Sequence, residues 1–331
     1  MYDAPHRSDG TMRRERRGPL QQVTKGYSMP TTHTAAERPS LPQPPVVLLT
    51  GASTGLGRAT AELLVKHNFR VFGTSRNART DPTLPFPMLP LDVCSDESVA
   101  ACVQAVLTQA GRIDVLINNA GHALNGALEE TTLAQAEALF ATNFFGAARM
   151  INHVLPLLRQ QRSGTILNVS SLFGLVAMPF EGFYVASKHA LEGYTETLRL
   201  ELTPFNIRVA MVEPSGIRTA FARSLTQAAQ PIADYAALRR YAFAYFVGAV
   251  ETGADPRRVA QTILHILQAR APRLRHPVGA DTLLMYFGKR LLPAALTEAF
   301  NRWLFRLEPH PPAAATTFAL LRLLGIGNTR H

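Results

Sequence analysis

The stretch VVLLTGASTGLG, residues 46–57, decides the fold class, because a short apolar run leads directly into a glycine-rich turn. The run from Val46 to Thr50 is typical of a β-strand that is covered on both faces. A helix is predicted to follow the turn, and the N–H groups at its start can bind an anion. The glycines Gly51, Gly55 and Gly57 have the spacing G-x-x-x-G-x-G, not the commoner G-x-G-x-x-G. Such a turn serves either phosphate binding or close packing, and by itself it leaves both open.

Strand and helix patterns alternate beyond this turn. Further apolar, strand-like runs begin at Phe69, Met88, Arg112, Gly164 and Ile207. Helical patterns are predicted over residues 57–67, 96–109, 132–161 and 183–203. Because no hairpin signals separate these elements, they predict βαβ units. The expected fold class is therefore α/β, a doubly wound parallel sheet with helices on both faces.

The excess of positive charge lies at the two ends of the chain. The formal net charge is +10, but residues 46–254 carry sixteen Lys/Arg against sixteen Asp/Glu. Residues 1–45 carry seven against four, and residues 255–331 carry eleven against four. A neutral middle gives no reason to expect a nucleic-acid partner. Residues 1–45 are rich in Pro and Arg without apolar periodicity, so we predict a disordered leader.

Cysteine usage and the N-terminal sequence indicate the compartment. Cys94 and Cys102 lack the spacing of a disulfide framework or of a structural zinc site. The N-terminus lacks the apolar stretch of a cleaved signal peptide. The apolar run Tyr241 to Val250 is about half as long as a membrane-spanning helix. We therefore expect a cytoplasmic protein without a metal centre, in contact with a membrane at most peripherally.

The residue after the second predicted strand indicates the cofactor. Dinucleotide folds that prefer NAD place an acidic residue there, against the adenosine ribose. This chain has Arg76, and no carboxylate follows until Asp81. A guanidinium can pair with a 2′-phosphate, which a carboxylate would repel. Arg76 thus favours NADP(H) over NAD(H), the alternative being an arginine that is simply solvated in a loop.

A second short stretch, FYVASKHALEG at residues 183–193, places Tyr184 four residues before Lys188. At that spacing the two side chains are neighbours on one helix face. A phenol has an ordinary pKa of about 10, so proton transfer at neutral pH requires a nearby cation, which Lys188 would supply. Taken alone, Tyr184 can equally be an ordinary surface aromatic of a helix.

Six motifs together resemble the classical short-chain dehydrogenase/reductases in order and rough spacing. They are TGASTGLG (50–57), LDV (91–93), NNAG (118–121), TN (142–143), NVSS (168–171) and YVASK (184–188). The resemblance runs from about Val46 to Thr219 and implies a Rossmann-type fold. Within the family, the sequence around YVASK and the later HPVGADTLL look most like the branch of hydroxysteroid and retinol dehydrogenases and their bacterial relatives.

The resemblance implies four catalytic residues, Ser171, Tyr184, Lys188 and Asn143. Tyr184 would be the general acid in carbonyl reduction and the base in alcohol oxidation. Lys188 would favour the phenolate and hold the nicotinamide ribose. Ser171 would hydrogen-bond the substrate oxygen where charge develops. Asn143 would position a water for a proton relay to the lysine.

The resemblance also implies the segments that bind the cofactor. The residues are Gly51, Ser53, Thr54, Gly55, Leu56, Gly57, Arg76, Asp92, Val93, Asn119, Ala120, Gly121, Tyr184, Lys188, Pro214, Gly216, Ile217 and Thr219. Thr54 is in addition a candidate for the 2′-phosphate. Where the family has Pro-Gly, this chain has Pro214-Ser215, with Gly216 one place later. We interpret this as a substitution, because the distance from Pro214 to Thr219 still fits the pattern.

The remaining segments concern the substrate. We expect a catalytic domain over residues 46–280, with a substrate loop at about 215–250, and a C-terminal helical extension over residues 281–331. Aromatic residues of these segments would line an apolar pocket or only build core: Phe221, Tyr235, Tyr241, Phe243, Tyr245, Phe246, Tyr286 and Phe287. The segment Lys289 to Leu307 has apolar residues at helical spacing with arginines between them. It can lie on a membrane surface or pack on the domain.

The main hypothesis is an NADP(H)-dependent oxidoreductase that interconverts a hydroxyl and a carbonyl on a lipophilic, steroid-, retinoid- or aliphatic-like molecule. One alternative is a 3-oxoacyl reductase for carrier-bound chains, in which the basic C-terminal surface meets an acidic carrier. Another is a non-catalytic NADP-binding sensor, against which the set of Ser171, Tyr184 and Lys188 argues. The resemblance further predicts a homo-oligomer.

Overall fold

The computed structural model describes residues 43–78, 81–219, 221 and 225–307. The predicted leader, residues 1–45, therefore lies outside the described residues apart from its last three positions. The same holds for the part of the predicted C-terminal extension that follows residue 307.

Within the described residues, seven strands form one parallel sheet. They are β1 (Val46–Leu49), β2 (Arg70–Ser75), β3 (Met88–Pro90), β4 (Val115–Asn118), β6 (Gly164–Val169), β7 (Ile207–Pro214) and β9 (Arg275–Val278). Two short strands, β5 (Leu124–Asn125) and β8 (Thr226–Gln227), pair separately. The sheet order is β3-β2-β1-β4-β6-β7-β9. The order reverses direction between β1 and β4, and ligands of such sheets bind at the carboxyl ends of the strands beside this point.

Nine α-helices accompany the strands in the described part of the chain. They are α1 (Gly55–Lys66), α2 (Asp96–Ala110), α3 (Leu133–Phe140), α4 (Gly146–Gln161), α5 (Gly182–Leu202), α6 (Ala236–Glu251), α7 (Pro256–Gln268), α8 (Ala280–Leu291) and α9 (Ala294–Leu304). A π-helical segment, Ala141–Phe145, joins α3 to α4. The helix predicted over residues 132–161 is therefore continuous, with one wider turn inside it.

Two apolar cores, one on each face of the sheet, confirm the doubly wound arrangement. Successive side chains of a strand point to opposite faces. Accordingly, Leu48 of β1 packs in the core that contains Met150 of α4 and Leu198 of α5. Its neighbour Leu49 packs in the other core, with residues of α1 and α7. The unbroken apolar run in β1 results from burial on both faces.

The helices after β9 pack on the domain through one side only. Thr282 of α8 is fully buried, and the Lys289 ammonium donates a hydrogen bond to the Leu175 carbonyl. Phe305, which follows α9, shares a core cluster with Phe246 and Val250 of α6. Across the residues that the structure describes, every helix falls short of a membrane span in length or in apolar character.

Candidate active site

The glycine-rich turn after β1 is tied to the NNAG turn after β4. The Asn119 side-chain amide donates to the carbonyls of Thr50 and Gly51, at 2.9 Å each. In return, the Thr50 hydroxyl accepts from the backbone N–H groups of Asn119 (2.9 Å) and Ala120 (3.0 Å). Two of the sequence motifs thus form one rigid unit at the carboxyl end of the sheet.

Two glycines of this turn have conformations or contacts that leave no room for a side chain. A Cβ at Gly57 would lie 2.1 Å from the Gly51 carbonyl oxygen. Gly55 has a φ of +56°, and a Cβ there would lie 3.3 Å from Thr219, which belongs to the last cofactor motif. The glycines therefore bring backbone, not side chains, to the start of α1.

The N-terminus of α1 fits the anionic pyrophosphate of a dinucleotide. The residue that precedes the helix, Thr54, makes no side-chain capping hydrogen bond, and the first turn contains no acidic residue. The first N–H groups of a helix have no partner within it and carry a partial positive charge. This combination of free donors and a turn without side chains is what a bound phosphate requires.

The predicted adenosine contacts lie at the ends of β2 and β3. Arg76 is exposed directly after β2. Burial, and then the charges of Arg76 and Lys188, lower the pKa of His122, so both cations act on the same imidazole. Asp92 accepts a hydrogen bond from the Cys94 N–H at 2.9 Å, which orders the turn after β3.

Tyr184 and Lys188 are both buried on α5. The Lys188 ammonium donates to the Val169 carbonyl at 2.9 Å and lies 5.9 Å from the centre of the Tyr184 ring. Burial raises the pKa of Tyr184 above its ordinary value, while a hydrogen bond with Ser171 opposes the rise. Burial lowers the pKa of Lys188 to about 8, and the charge of Glu192 opposes this shift.

Asn143 sits in the π-helical segment, a feature that often marks functional sites. Its amide donates to the His122 carbonyl at 2.9 Å and accepts from the His122 N–H at 3.0 Å. It also donates to the Ser187 hydroxyl at 3.2 Å. A Cβ at Gly121 would lie 3.1 Å from the Asn143 oxygen and 3.9 Å from the Lys188 ammonium. Asn143 therefore adjoins the catalytic helix.

Ser171 follows β6 and accepts a hydrogen bond from the Phe173 N–H at 3.2 Å. With its interaction with Tyr184, it completes the group of Ser171, Tyr184, Lys188 and Asn143 that the sequence predicts. The structure brings these four side chains together from three separate segments of the chain.

Apolar side chains surround Tyr184. Phe173 and Phe221 lie 6.3 and 6.4 Å from its ring, and Phe246 stacks on Phe173 at 6.4 Å. Phe221 and Phe246 are among the predicted pocket residues, whereas Phe173 was missed because it lies in a turn without periodicity. Other predicted members contact different partners: Tyr235 packs on Phe180, Tyr245 on Phe305, and Tyr286 on Phe287.

The segment after β7 shows why Gly216 is needed. A Cβ at Gly216 would lie 1.9 Å from the Ala249 carbonyl of α6, and the Gly216 carbonyl accepts from the Ala254 N–H at 2.9 Å. Close packing against α6 thus explains the glycine, and its contact with a cofactor stays a prediction. Ser215 donates its N–H to the Val278 carbonyl of β9 at 3.2 Å.

Two buried acidic residues near the site escaped the sequence analysis. Glu181 precedes α5, accepts a hydrogen bond from Asn125 at 3.3 Å, and has its pKa raised to about 8 by burial. Glu192 lies one turn after Lys188 and contacts Arg275 of β9. The i, i+4 spacing of Lys188 and Glu192 was readable from the sequence, but nothing in it shows that Glu181 is buried.

Among the described residues, no three His, Cys, Asp or Glu side chains are grouped as metal ligands would be. Both cysteines are free, Cys94 exposed and Cys102 buried.

Comparison with known proteins gives a consistent result. The family model described as short chain dehydrogenase matches residues 45–230. A 3-ketodihydrosphingosine reductase from Bacteroides thetaiotaomicron is 38% identical over 239 residues, covering 72% of this chain and 88% of that protein. Retinol dehydrogenase 8 from Homo sapiens is 36% identical over 253 residues, covering 70% of this chain and 80% of that protein.

Solved structures agree in fold. A short-chain dehydrogenase from Streptomyces avermitilis is 32% identical with a TM-score of 0.70, covering 80% of this chain and 97% of that one. A short-chain dehydrogenase/reductase from Burkholderia phymatum in complex with NAD is 26% identical with a TM-score of 0.67, covering 82% and 98%. One from Burkholderia cenocepacia in complex with NADP is 26% identical with a TM-score of 0.62, covering 78% and 97%.

Proposed function

The chain belongs to the short-chain dehydrogenase family and is an oxidoreductase of CH–OH and C=O groups with a nicotinamide cofactor; we propose that it uses NADP(H) and acts on a lipophilic small molecule. The lipophilic substrate class is proposed because two aromatic side chains, Phe173 and Phe221, lie next to the Tyr184 ring. The relatives named above are called after 3-ketodihydrosphingosine and retinol, molecules with long apolar parts.

The preference for NADP(H) is supported by Arg76. It follows β2, where a carboxylate would serve the ribose of NAD, and it is exposed and near enough to His122 for its charge to lower the pKa of that imidazole. A guanidinium at this place offers a bidentate partner to a 2′-phosphate.

When bound, the nicotinamide supplies or accepts the hydride at the substrate carbon. In the direction of reduction, Tyr184 gives its proton to the substrate oxygen. Burial keeps this phenol protonated at neutral pH. The Ser171 hydroxyl donates a hydrogen bond to the same oxygen, where negative charge develops. The Lys188 ammonium stabilises the phenolate that remains on Tyr184.

Reprotonation of Tyr184 requires a route to water. With a pKa of about 8, Lys188 can release and regain a proton near neutral pH. Asn143 is held by hydrogen bonds to His122 and Ser187, and both its oxygen and the Lys188 ammonium lie close to Gly121. We propose that Asn143 orders the water through which Lys188 regains its proton.

Turnover with a panel of lipophilic ketones, aldehydes and secondary alcohols tests the proposal, with NADPH and NADH compared by their absorbance. We expect turnover, with NADPH preferred. Activity confined to carrier-bound 3-oxoacyl chains would favour the reductase alternative. Cofactor binding without turnover of any substrate would favour the sensor.

The variant Arg76→Ala tests the cofactor preference. Because it removes the partner of the 2′-phosphate, we expect NADPH affinity to fall by at least about tenfold and NADH affinity to stay nearly unchanged. Arg58→Ala is the control, at an exposed arginine of α1 that pairs with Glu62. Equal losses for both cofactors in Arg76→Ala would remove Arg76 from this role.

We also propose peripheral contact with an anionic membrane through the outer side of α8 and α9. Large apolar side chains are exposed there: Leu283, Leu284, Phe287, Leu291, Leu292, Leu296 and Trp303. On α8 they follow the spacing i, i+1, i+4, i+8 and therefore share one face. Arg290, Arg302 and Arg306 are exposed on the same helices or directly after them, and basic residues next to an apolar face complement lipid phosphates. Several large apolar side chains exposed on one face indicate an interaction site.

Flotation with vesicles tests the membrane contact. We expect the protein to bind phosphatidylserine-containing vesicles at low salt, and the triple variant Leu284→Glu, Phe287→Glu, Leu291→Glu to lose binding. Leu200→Glu, at an apolar residue of α5 that is 75% exposed, is the control and should bind normally. No binding by the unmodified chain, or loss of self-association without loss of vesicle binding in the triple variant, would contradict the proposal. If a chain that ends at Leu307 bound vesicles more strongly than the full chain, the residues after Leu307 would be identified as the segment that covers the apolar side of α8 and α9.

A homo-oligomer and a cytoplasmic location remain predictions. Light scattering on the purified chain gives the oligomeric state, and fractionation of cells gives the location.

A further inference from the structure

A buried ionic cluster lies behind the catalytic lysine. Arg275 of β9 contacts Glu192 of α5, Glu213 of β7 at 2.6 Å and Glu196 of α5 at 2.7 Å. The side chains of Glu192 and Glu213 are 5% and 0% exposed, whereas that of Glu196 is 48% exposed. The cluster therefore joins two buried carboxylates to one guanidinium.

Two buried carboxyl groups share one guanidinium in this cluster, and burial raises the pKa of both. Arg275 can neutralise one of the two buried carboxylates, and Glu196 is solvated. One carboxylate oxygen each of Glu192 and Glu213 makes no hydrogen bond. A buried charge is costly unless an opposite charge lies nearby. A cation near Glu192 would favour the ionised form of this carboxyl group.

Lys188 is placed to be that cation. It lies one helical turn before Glu192, and the two side chains share a face of α5. Its ammonium is buried and donates to the carbonyl of Val169, whose neighbour Ser170 lies against Glu192. A Cβ at Gly174 would lie 2.6 Å from the Ser170 hydroxyl and 2.8 Å from a Glu192 oxygen, so both atoms face the same small space.

We propose that Glu192, fixed in place by Arg275, is a positioning residue that keeps Lys188 protonated inside the active site. The inference rests on the proposed role of Lys188 as the cation beside Tyr184. It goes beyond that role, because it assigns the source of the charge to a residue that does not touch the reacting atoms.

The groups around both side chains are consistent with this role. Tyr184 and His122 also face Lys188, and both are neutral at pH 7, since burial raises the pKa of the phenol and lowers that of the imidazole. Besides Arg275, Glu192 faces Glu196 and Glu213. Burial raises the pKa of Glu213 to about 7. His189 and Lys289 line the groove of about 330 Å³ that opens over the cluster.

Two opposing influences on the pKa of Lys188 give the direction of the change expected when Glu192 loses its charge. Burial lowers the pKa of its ammonium to about 8, and the negative charge of Glu192 opposes that shift. Removing this charge leaves burial unopposed, so Lys188 would lose its proton at a lower pH. Tyr184 would then lose its cation within the physiological range.

Direct titration of the lysine tests the proposal without relying on turnover. The chain has only four lysines, Lys25, Lys66, Lys188 and Lys289, so isotope-labelled lysine gives few NMR signals. The signal that disappears in Lys188→Arg is assigned to Lys188. In Glu192→Gln we expect its titration midpoint to fall by about one pH unit or more.

Two matched variants separate charge from packing. Glu196→Gln changes an exposed carboxylate on the same guanidinium and should leave the midpoint unchanged. Glu192→Asp retains the charge and should restore most of the original midpoint. An unchanged midpoint in folded Glu192→Gln would overturn the proposal, as would an equal fall in Glu196→Gln.

Misfolding of a variant can be distinguished from a changed Lys188 midpoint. Each variant is first checked by its thermal unfolding. If Glu192→Gln does not fold, the apolar variant Glu192→Met takes its place, with a fall of the same sign expected, and no fall would then overturn the proposal. The titration does not need substrate. If the original chain were inactive but the Lys188 midpoint fell as expected in Glu192→Gln, only the proposed function would be contradicted.

Discussion

At the scale of single residues, the chemistry depends on how burial changes proton affinity. Tyr184 and Lys188 are both withdrawn from water, which favours the neutral form of each. Burial therefore makes the phenol a weaker acid and the ammonium a stronger one, as their shifts show. The nearby charges decide how far each shift goes: Glu181 raises the pKa of Tyr184 further, whereas Glu192 supports the charged form of Lys188.

Replacing Tyr184 by Phe tests the proton transfer. The variant keeps the ring between Phe173 and Phe221 but removes the hydroxyl that would give its proton to the substrate oxygen. We expect turnover to fall by at least about a thousandfold, with NADPH affinity within a few-fold of the original by fluorescence titration. Tyr194→Phe, at another tyrosine of α5, is the control. Comparable activity in Tyr184→Phe would rule out the assigned role.

Glu181 should make stability depend on pH. Its pKa is raised in the folded state from 4.5 to about 8, so the folded protein binds this proton more tightly than the unfolded chain. The contribution of this proton to the free energy of unfolding is fully present below pH 4.5, and it is lost as the pH rises towards 8. The loss is on the order of a few kcal/mol.

The variant Glu181→Gln removes this titration. Urea unfolding at several pH values should show it gaining stability relative to the original chain as the pH rises from 5 to about 8. Glu137→Gln, at an exposed position of α3, is the control. A difference between Glu181→Gln and the original chain that does not change with pH would contradict the prediction.

At the scale of elements, the start of α1 is shaped by backbone contacts. Gly57 lies against the Gly51 carbonyl, and the Asn119 amide, which is also close to Gly57, donates a hydrogen bond to the same carbonyl. The helix N-terminus is thereby fixed relative to both turns that would meet the cofactor. We therefore expect binding of a phosphate at this turn to depend on the position of the helix more than on a charged side chain.

Replacing Gly57 by Ala should disturb this position. The new Cβ would stand 2.1 Å from a backbone oxygen, so α1 must move. We expect a loss of about 1–3 kcal/mol in the free energy of unfolding and at least about a tenfold loss of NADPH affinity. Gly193→Ala in α5 is the control, because its Cβ would meet nothing within 4 Å and should stabilise the helix by about 0.5–1 kcal/mol. Normal cofactor affinity in Gly57→Ala would show that the close contact is unimportant.

At the scale of the whole molecule, every catalytic and cofactor residue assigned above lies after position 45, and the described residues belong to a compact unit that begins at Pro42. Deletion of residues 1–42 should therefore leave the thermal unfolding midpoint and the turnover unchanged. Calorimetry and kinetics on the shortened chain check this. A fall in either quantity would show that the leader contributes to the domain or to its site.

Much of the fold could be predicted because its signals are local. A strand buried on both faces must be apolar throughout, and a backbone turn that meets a phosphate must be free of Cβ atoms, so β1 and the turn after it are visible in residues 46–57. The family motifs are local in the same way, and they predict Ser171, Tyr184, Lys188 and Asn143, which the structure places near one another. Two-residue strands such as β5 and β8 escaped prediction, since pairing with distant backbone, not sequence pattern, defines them.

The sequence by itself therefore determined the fold class and the family, and it predicts four catalytic residues, since each of these depends on short patterns of residue type. Only the tertiary structure decided which charges act on them. Glu213 and Arg275 lie far along the chain from Lys188, and parallel strands bring them behind α5. The exposure of Leu291 and burial of Glu181 were likewise decided by packing, because the free energy of a charge or an apolar group depends on what surrounds it in space.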